Sequence, residues 1–130
     1  MCITKTAIKH FRKKKFGKII NILSSAIVNK PPIGWSVYTA NKAYLLSMNK
    51  AWATENAKHN ITSNAISPAF MDTSLNGDLD ERLKENMTIA HPLKQLLKVE
   101  EVATAVDFFV GASQQVNGTN LVINAASDLV

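Results

Sequence analysis

The spacing of apolar and polar positions changes several times along the chain, and each change marks an element. Ile3, Ala7, Ile8 and Phe11 recur at helical spacing, which predicts a helix over residues 3–15. After Gly17 the pattern collapses into a short apolar run at 19–23, which predicts a strand buried on both faces. Residues 29–35 contain Pro31, Pro32 and Gly34 and read as a loop. The helical period returns over 36–58, with Ser36 as its cap. There Val37, Ala40, Tyr44, Leu45, Met48, Ala51 and Trp52 form a broad apolar stripe. A second short strand over 61–67 is stopped by Pro68.

Downstream, residues 75–98 turn polar and charged, with a helical piece around 78–89 and a break at His91 and Pro92. Residues 100–113 read as a helix that has acidic residues in its first turn and buries Val102, Ala105, Val106, Phe109 and Val110. Asn117 and Gly118 make a turn, and 121–124 is the last strand. The order helix, strand, helix, strand, helix, strand argues for parallel strands joined by right-handed crossovers in an α/β fold.

Composition narrows the function classes. The chain has 130 residues, one domain's worth, and its 46% hydrophobic and 19% charged content is ordinary for a globular protein. A single cysteine, Cys2, excludes an internal disulfide framework and fits a reducing compartment. No stretch approaches the roughly 20 apolar residues of a membrane span. Lys5, Lys9 and Arg12 interrupt any apolar signal core, so a cytoplasmic setting is expected, with no membrane partner.

The net charge is +5, much of it in the run from Lys9 to Lys18. Cations gather favourably at a helix C-terminus, and Gly17 is placed to end that helix. No aromatic residues interleave with these cations as on a single-strand-binding surface, so no nucleic-acid partner is expected. His10, His59 and His91 are scattered, which argues against a metal site. Ser24 lacks the glycine-flanked elbow of a Ser-His-Asp hydrolase.

The candidate chemistry lies in Ser24, Tyr38 and Lys42. Residues four apart on a helix share a face, so the Lys42 ammonium can lie beside the Tyr38 phenol. A nearby positive charge favours the phenolate and makes the phenol usable for proton transfer near neutral pH. Ser24, at the C-terminal end of its strand, can hydrogen-bond the same reacting oxygen.

Three segments in order, Gly17-Lys-Ile-Ile-Asn-Ile-Leu-Ser24-Ser25, then Tyr38-x-x-x-Lys42, then Asn60-Ile-Thr-Ser-Asn64-Ala-Ile-Ser-Pro68-Ala-Phe-Met71-Asp-Thr73, carry a resemblance. The series resembles the C-terminal half of the short-chain dehydrogenase/reductase family, closest to its 3-oxoacyl-reductase-like members, from about Met1 to Val130. The resemblance implies one partial domain over 1–130, the C-terminal half of a Rossmann-like doubly wound parallel sheet with about three strands and flanking helices. It implies NAD(P)H as cofactor and interconversion of a carbonyl with a secondary alcohol.

By that resemblance Tyr38 is the general acid or base, Lys42 serves Tyr38 and the nicotinamide ribose, and Ser24 orients the substrate oxygen. Ser24 is preferred to Ser25 because the family's serine stands three places after the strand asparagine, here Asn21. The interval from Ser24 to Tyr38 is one residue longer than in the commonest members, a difference the Pro31-Pro32 loop can absorb. Pro68, Met71 and Thr73 match the segment that approaches the nicotinamide, with Ala69 in place of the usual glycine. Residues 74–98 match the mobile flap over the substrate. The last strand reads Asn124-Ala-Ala126 where the family has Asp-Gly-Gly, a departure expected to touch oligomer packing more than chemistry.

Gly17, Gly34, Gly77, Gly111 and Gly118 are too dispersed to form the family's glycine-rich pyrophosphate turn, and its Asn-Asn-Ala-Gly segment is absent. A truncated or split chain is therefore expected, with a bare edge on the strand at 19–23. A second reading makes the chain an inactive fragment that associates with a full-length relative or a second copy through the helix at 36–58, the family's subunit-packing helix.

Overall fold

The computed structural model describes residues 2–74 and 79–129. Its elements are α1 (Cys2–Lys14), β1 (Gly17–Ile22), α2 (Ser36–Asn56), β2 (Ile61–Pro68), α3 (Glu81–Ala90), α4 (Val99–Gly111) and β3 (Asn120–Ile123). Short 3-10 turns at Ser25–Ile27 and Ala57–His59 follow β1 and α2. The strands form one parallel sheet in the order β1-β2-β3. Gly17 is opposite Ile61, and Ala65 is opposite Asn120. This is the α/β, half-Rossmann architecture expected from the element order.

Side chains alternate across the sheet, so β2 feeds two interfaces. On one side Ile66 packs with Val102, Ala105 and Phe109 of α4, flanked by Ile20, Leu121 and Ile123. On the other side lie α1 and α2, held together by the Arg12 guanidinium donating to Asn56 Oδ1 at 2.9 Å. Helices on both faces make β2 a fully buried central strand.

β2 is buried although half its residues are polar, and each of the following side chains is bonded. Ser63 Oγ donates to Asn49 Oδ1 at 2.8 Å, and Ser67 Oγ to Asn120 Oδ1 at 2.8 Å. Asn64 donates to the Val116 carbonyl at 2.8 Å and accepts from the Thr119 N–H at 3.0 Å. Satisfied in this way, buried polar groups specify register instead of opposing burial.

Several local expectations are corrected. β1 is not buried on both faces; it is the edge strand, half-buried along most of its length, with Ile22 41% exposed. Ile3 lies 86% exposed, outside the buried face of α1. Gly17 does not end α1. Lys15 takes the left-handed conformation there (φ 53°), and Gly17 is required because a Cβ would stand 2.3 Å from Phe11 Cγ.

Ser36 is the first residue of α2; the cap is Trp35, which makes no side-chain capping bond. The inward face of α2 is built from Thr39, Asn49, Trp52, Ala53 and Asn56. Val37, Ala40 and Tyr44 of the supposed core stripe face outward, Val37 being 74% exposed. Val110 of α4 is also exposed. The helix expected at 78–89 starts at Glu81, with Asp80 capping it by accepting from the Arg82 N–H at 3.0 Å; Asp78 lies outside the described residues.

Candidate active site

In a parallel sheet the C-terminal strand ends and the helix starts that follow them gather at one edge. Here that edge opens into a cavity of 710 Å³. Ser24, Tyr38, Lys42, Pro68, Met71 and Thr73, the site residues expected from the sequence, all line it.

Ser24 leaves β1 in an extended conformation and caps the 3-10 turn Ser25–Ile27. Its Oγ accepts from the Ala26 N–H at 3.2 Å, so the hydroxyl is oriented by its lone pair and keeps its hydrogen for a cavity acceptor. Ser25 lines the same cavity.

Tyr38 and Lys42 sit one turn apart in α2, as helical spacing requires. Tyr38 is 39% exposed, and the Trp35 ring meets it edge-on with centroids 5.5 Å apart. The Lys42 ammonium lies 5.7 Å from the Tyr38 ring centroid and donates to the Ile22 carbonyl at 3.0 Å. Partial burial pushes the Lys42 pKa down from the ordinary lysine value.

The chain leaves β2 at Pro68. The Ala69 N–H donates to the Ile123 carbonyl at 2.8 Å, which carries the exit segment past β3 before it turns into the cavity wall. Asp72, between Met71 and Thr73, pairs with Lys84 of α3 at 3.1 Å and ties that helix to the exit segment. Met87 and Ala90 of α3, with His91 just beyond, form the facing wall.

Sequence reasoning missed Trp35, His91, Ser127 and Asp128 as lining residues. Trp35 stands three residues before Tyr38, a helical neighbour spacing that would have signalled it. The last two follow the Asn124-Ala-Ala126 turn, so that departure from the family pattern adjoins the cavity wall. No group of three or more His, Cys, Asp or Glu side chains able to hold a metal occurs among the described residues.

A family model described as Enoyl-(Acyl carrier protein) reductase matches residues 1–125. The chain is 34% identical over 124 residues to an acetoacetyl-CoA reductase of Synechocystis sp., covering 94% of this chain and 51% of that protein. It is 32% identical over 128 residues to a 3-oxoacyl-[acyl-carrier-protein] reductase of Thermotoga maritima, covering 98% of this chain and 51% of that one. The crystal structure of a gluconate 5-dehydrogenase from Burkholderia cenocepacia, in complex with NADP and tartrate, superposes with a TM-score of 0.79 at 27% identity. That match covers 92% of this chain and 48% of the other. The chain thus spans about half the length of the curated relatives it matches. With the family model covering nearly all of it and Ser24, Tyr38 and Lys42 on one cavity, the chain belongs to the short-chain dehydrogenase/reductase family.

Proposed function

We propose that this chain carries the proton-transfer and substrate side of an NAD(P)-dependent reductase that interconverts a ketone and a secondary alcohol. The observation that carries the reading is the convergence of Ser24, Tyr38 and Lys42 on one cavity, with the ammonium anchored on the strand that delivers Ser24.

In the reductive direction the Tyr38 O–H gives its proton to the carbonyl oxygen. Ser24 donates a hydrogen bond to the same oxygen and stabilises the charge that develops there. Lys42 spends one N–H on the Ile22 carbonyl and keeps two donors, one side of its charge facing the Tyr38 ring. In alcohol oxidation the same groups act in reverse.

The residues present fit the nicotinamide end of the cofactor. Lys42 offers donors for ribose hydroxyls, and the exit segment with Met71 and Thr73 supplies main-chain and hydroxyl groups for a carboxamide. The bound cofactor supplies the hydride. No glycine-rich turn for its pyrophosphate occurs in these 130 residues, so we assign that contact to residues other than these.

The substrate is a small carbonyl compound or alcohol, and the relatives' names favour a 3-oxoacyl compound. We place the protein in the cytoplasm; no described helix is long and apolar enough to cross a membrane. Residues 74–98, of which 75–78 lie outside the described residues, are assigned to a substrate flap within a single domain, on the strength of α3 walling the cavity.

The decisive experiment assays the purified chain with NADH or NADPH and a 3-oxoester, beside Tyr38→Phe. Turnover that disappears in the variant supports the reading, whereas equal rates in both would refute it.

A second reading has specific support: among the described residues β1 has an unpaired edge, and α2 turns Val37 and Tyr44 outward. These suit association with a second copy or a full-length relative. Under that reading Tyr38→Phe leaves complex formation unchanged in sedimentation, and the wild-type chain alone shows no turnover.

A further inference from the structure

His91 stands where α3 ends and the cavity wall begins. Its position is held from every side. Its N–H donates to the carbonyls of Met87 at 3.1 Å and Thr88 at 3.2 Å, and its own carbonyl accepts from Lys94 N–H at 2.9 Å. Its ring is held too, because Nδ1 accepts from the Leu93 N–H at 3.1 Å.

That last bond determines the chemistry. A neutral imidazole that accepts at Nδ1 carries its proton on Nε2. His91 therefore presents one donor, Nε2–H, and that donor has no partner among the described residues. Several other polar groups on the wall are differently placed. The Ser127 hydroxyl is spent on the Asn124 carbonyl at 2.6 Å, and Lys30 is a hydrated ammonium on an exposed loop. Ser24 and Tyr38 are assigned to the reacting oxygen, and Lys42 and Thr73 to the cofactor. The same cavity is lined by the apolar side chains of Leu79, Met87 and Trp35.

We propose that His91 is a specificity-determining residue, donating from Nε2–H to a second carbonyl oxygen of the substrate, an ester, thioester or amide, while the ketone meets Ser24 and Tyr38. The inference rests on the reductase reading given above. A neutral donor in an apolar wall pairs well with a neutral carbonyl, and a rigid turn presents it without ordering cost when substrate arrives. A monoketone leaves that donor desolvated and unpaired, so the site discriminates against it.

The test compares ethyl acetoacetate with 2-heptanone, a monoketone of similar length, on the wild-type chain and two variants. His91→Phe keeps a ring and removes the donor. His91→Asn keeps an acceptor for Leu93 N–H and lacks the reach of Nε2, so it serves if the first variant folds poorly. The expected result is a KM for ethyl acetoacetate raised about tenfold with kcat little changed, while the KM for 2-heptanone falls or stays as it was. Equal effects on both ketones, or none, would overturn the assignment.

Long-range nitrogen NMR of the imidazole gives a readout independent of turnover. The free protein should show the Nε2-protonated tautomer, and ethyl acetoacetate, unlike 2-heptanone, should shift that resonance. A selective shift without turnover would retain His91 as a binding residue and remove the reductase reading. The Nδ1-protonated tautomer, or no selective shift, would remove the His91 proposal even if reduction proceeds.

Discussion

The Lys42 ammonium donates to the Ile22 carbonyl at 3.0 Å while lying 5.7 Å from the centre of the Tyr38 ring. One side chain thereby links the end of an edge strand to Tyr38 one helical turn away. Because the bond reaches a backbone carbonyl, it positions α2 against β1 irrespective of any bound molecule. The helix cannot slide along the strand without breaking it.

The burial that places this ammonium also has a pH signature. Its folded pKa is lowered, so the native state binds fewer protons than the unfolded state between that value and 10.5. The associated cost is therefore fully present below the folded pKa and is relieved as pH rises through it towards 10.5. Chemical denaturation at successive pH values should show wild type gaining on Lys42→Met across that alkaline window. A constant difference between them would contradict the burial of the charge.

Two turns beyond Lys42 on the same helix face, Asn49 is fully buried. Its Oδ1 accepts from Asn21 Nδ2 at 2.9 Å and from Ser63 Oγ at 2.8 Å, joining α2 to β1 and β2. Its own Nδ2 has no partner among the described residues, so removing the amide relieves one orphan, strands the Ser63 hydroxyl hydrogen and leaves Asn21 Nδ2 only its 3.4 Å bond to Ser63 Oγ. Asn49→Leu should cost about 1–3 kcal/mol in urea unfolding. Converting the whole cluster (Asn21→Val, Asn49→Leu, Ser63→Ala) should recover most of the loss, since no donor is then left unpaired.

This cluster also shows where sequence reading stops. The apolar stripe through Val37, Ala40 and Tyr44 looks like a buried face because pattern analysis assumes that apolar residues point inward. In α2 the sheet-facing side instead carries Thr39, Asn49 and Asn56, and hydrogen bonds to residues distant in sequence make that burial possible. Such bonds leave no periodic trace. The strand at β2 was readable because its length and flanking turn signals sufficed, and Ser24, Tyr38, Lys42, Pro68, Met71 and Thr73 reach one cavity because parallel topology collects strand ends. His91 depends on how the chain after α3 folds over that edge, which local spacing does not encode.

Gly17 supplies a packing prediction. A Cβ there would lie 2.3 to 2.7 Å from Phe11 Cγ, Cδ2 and Cβ, so the ring of α1 would have to move off β1. Gly17→Ala should destabilise the fold by about 1–3 kcal/mol. In a double-mutant cycle, Phe11→Ala should be less costly in the Gly17→Ala background than in wild type, because there it also relieves the clash. Additive effects would place the strain elsewhere.

The turn after β3 carries the last prediction. Ala125 and Ala126 both adopt left-handed backbone, with φ of 50° and 61°. Asn124 holds them there: its Oδ1 accepts from the Ala126 N–H at 3.1 Å and its Nδ2 donates to the Asp128 carbonyl at 2.9 Å. A Cβ in that region costs roughly 1–2 kcal/mol, partly offset in glycine by lost chain entropy of about 0.5–1 kcal/mol. Ala125→Gly and Ala126→Gly should therefore each stabilise the protein by about 0.5–1 kcal/mol, read as a higher melting temperature. Asn124→Ala should do the opposite, because the strained turn loses both bonds that enforce it. Ser127 and Asp128 line the cavity, so that variant should also raise the KM for a 3-oxoester, whereas the glycine variants should leave it unchanged. An unchanged KM in Asn124→Ala would show that the tail holds its place without the turn.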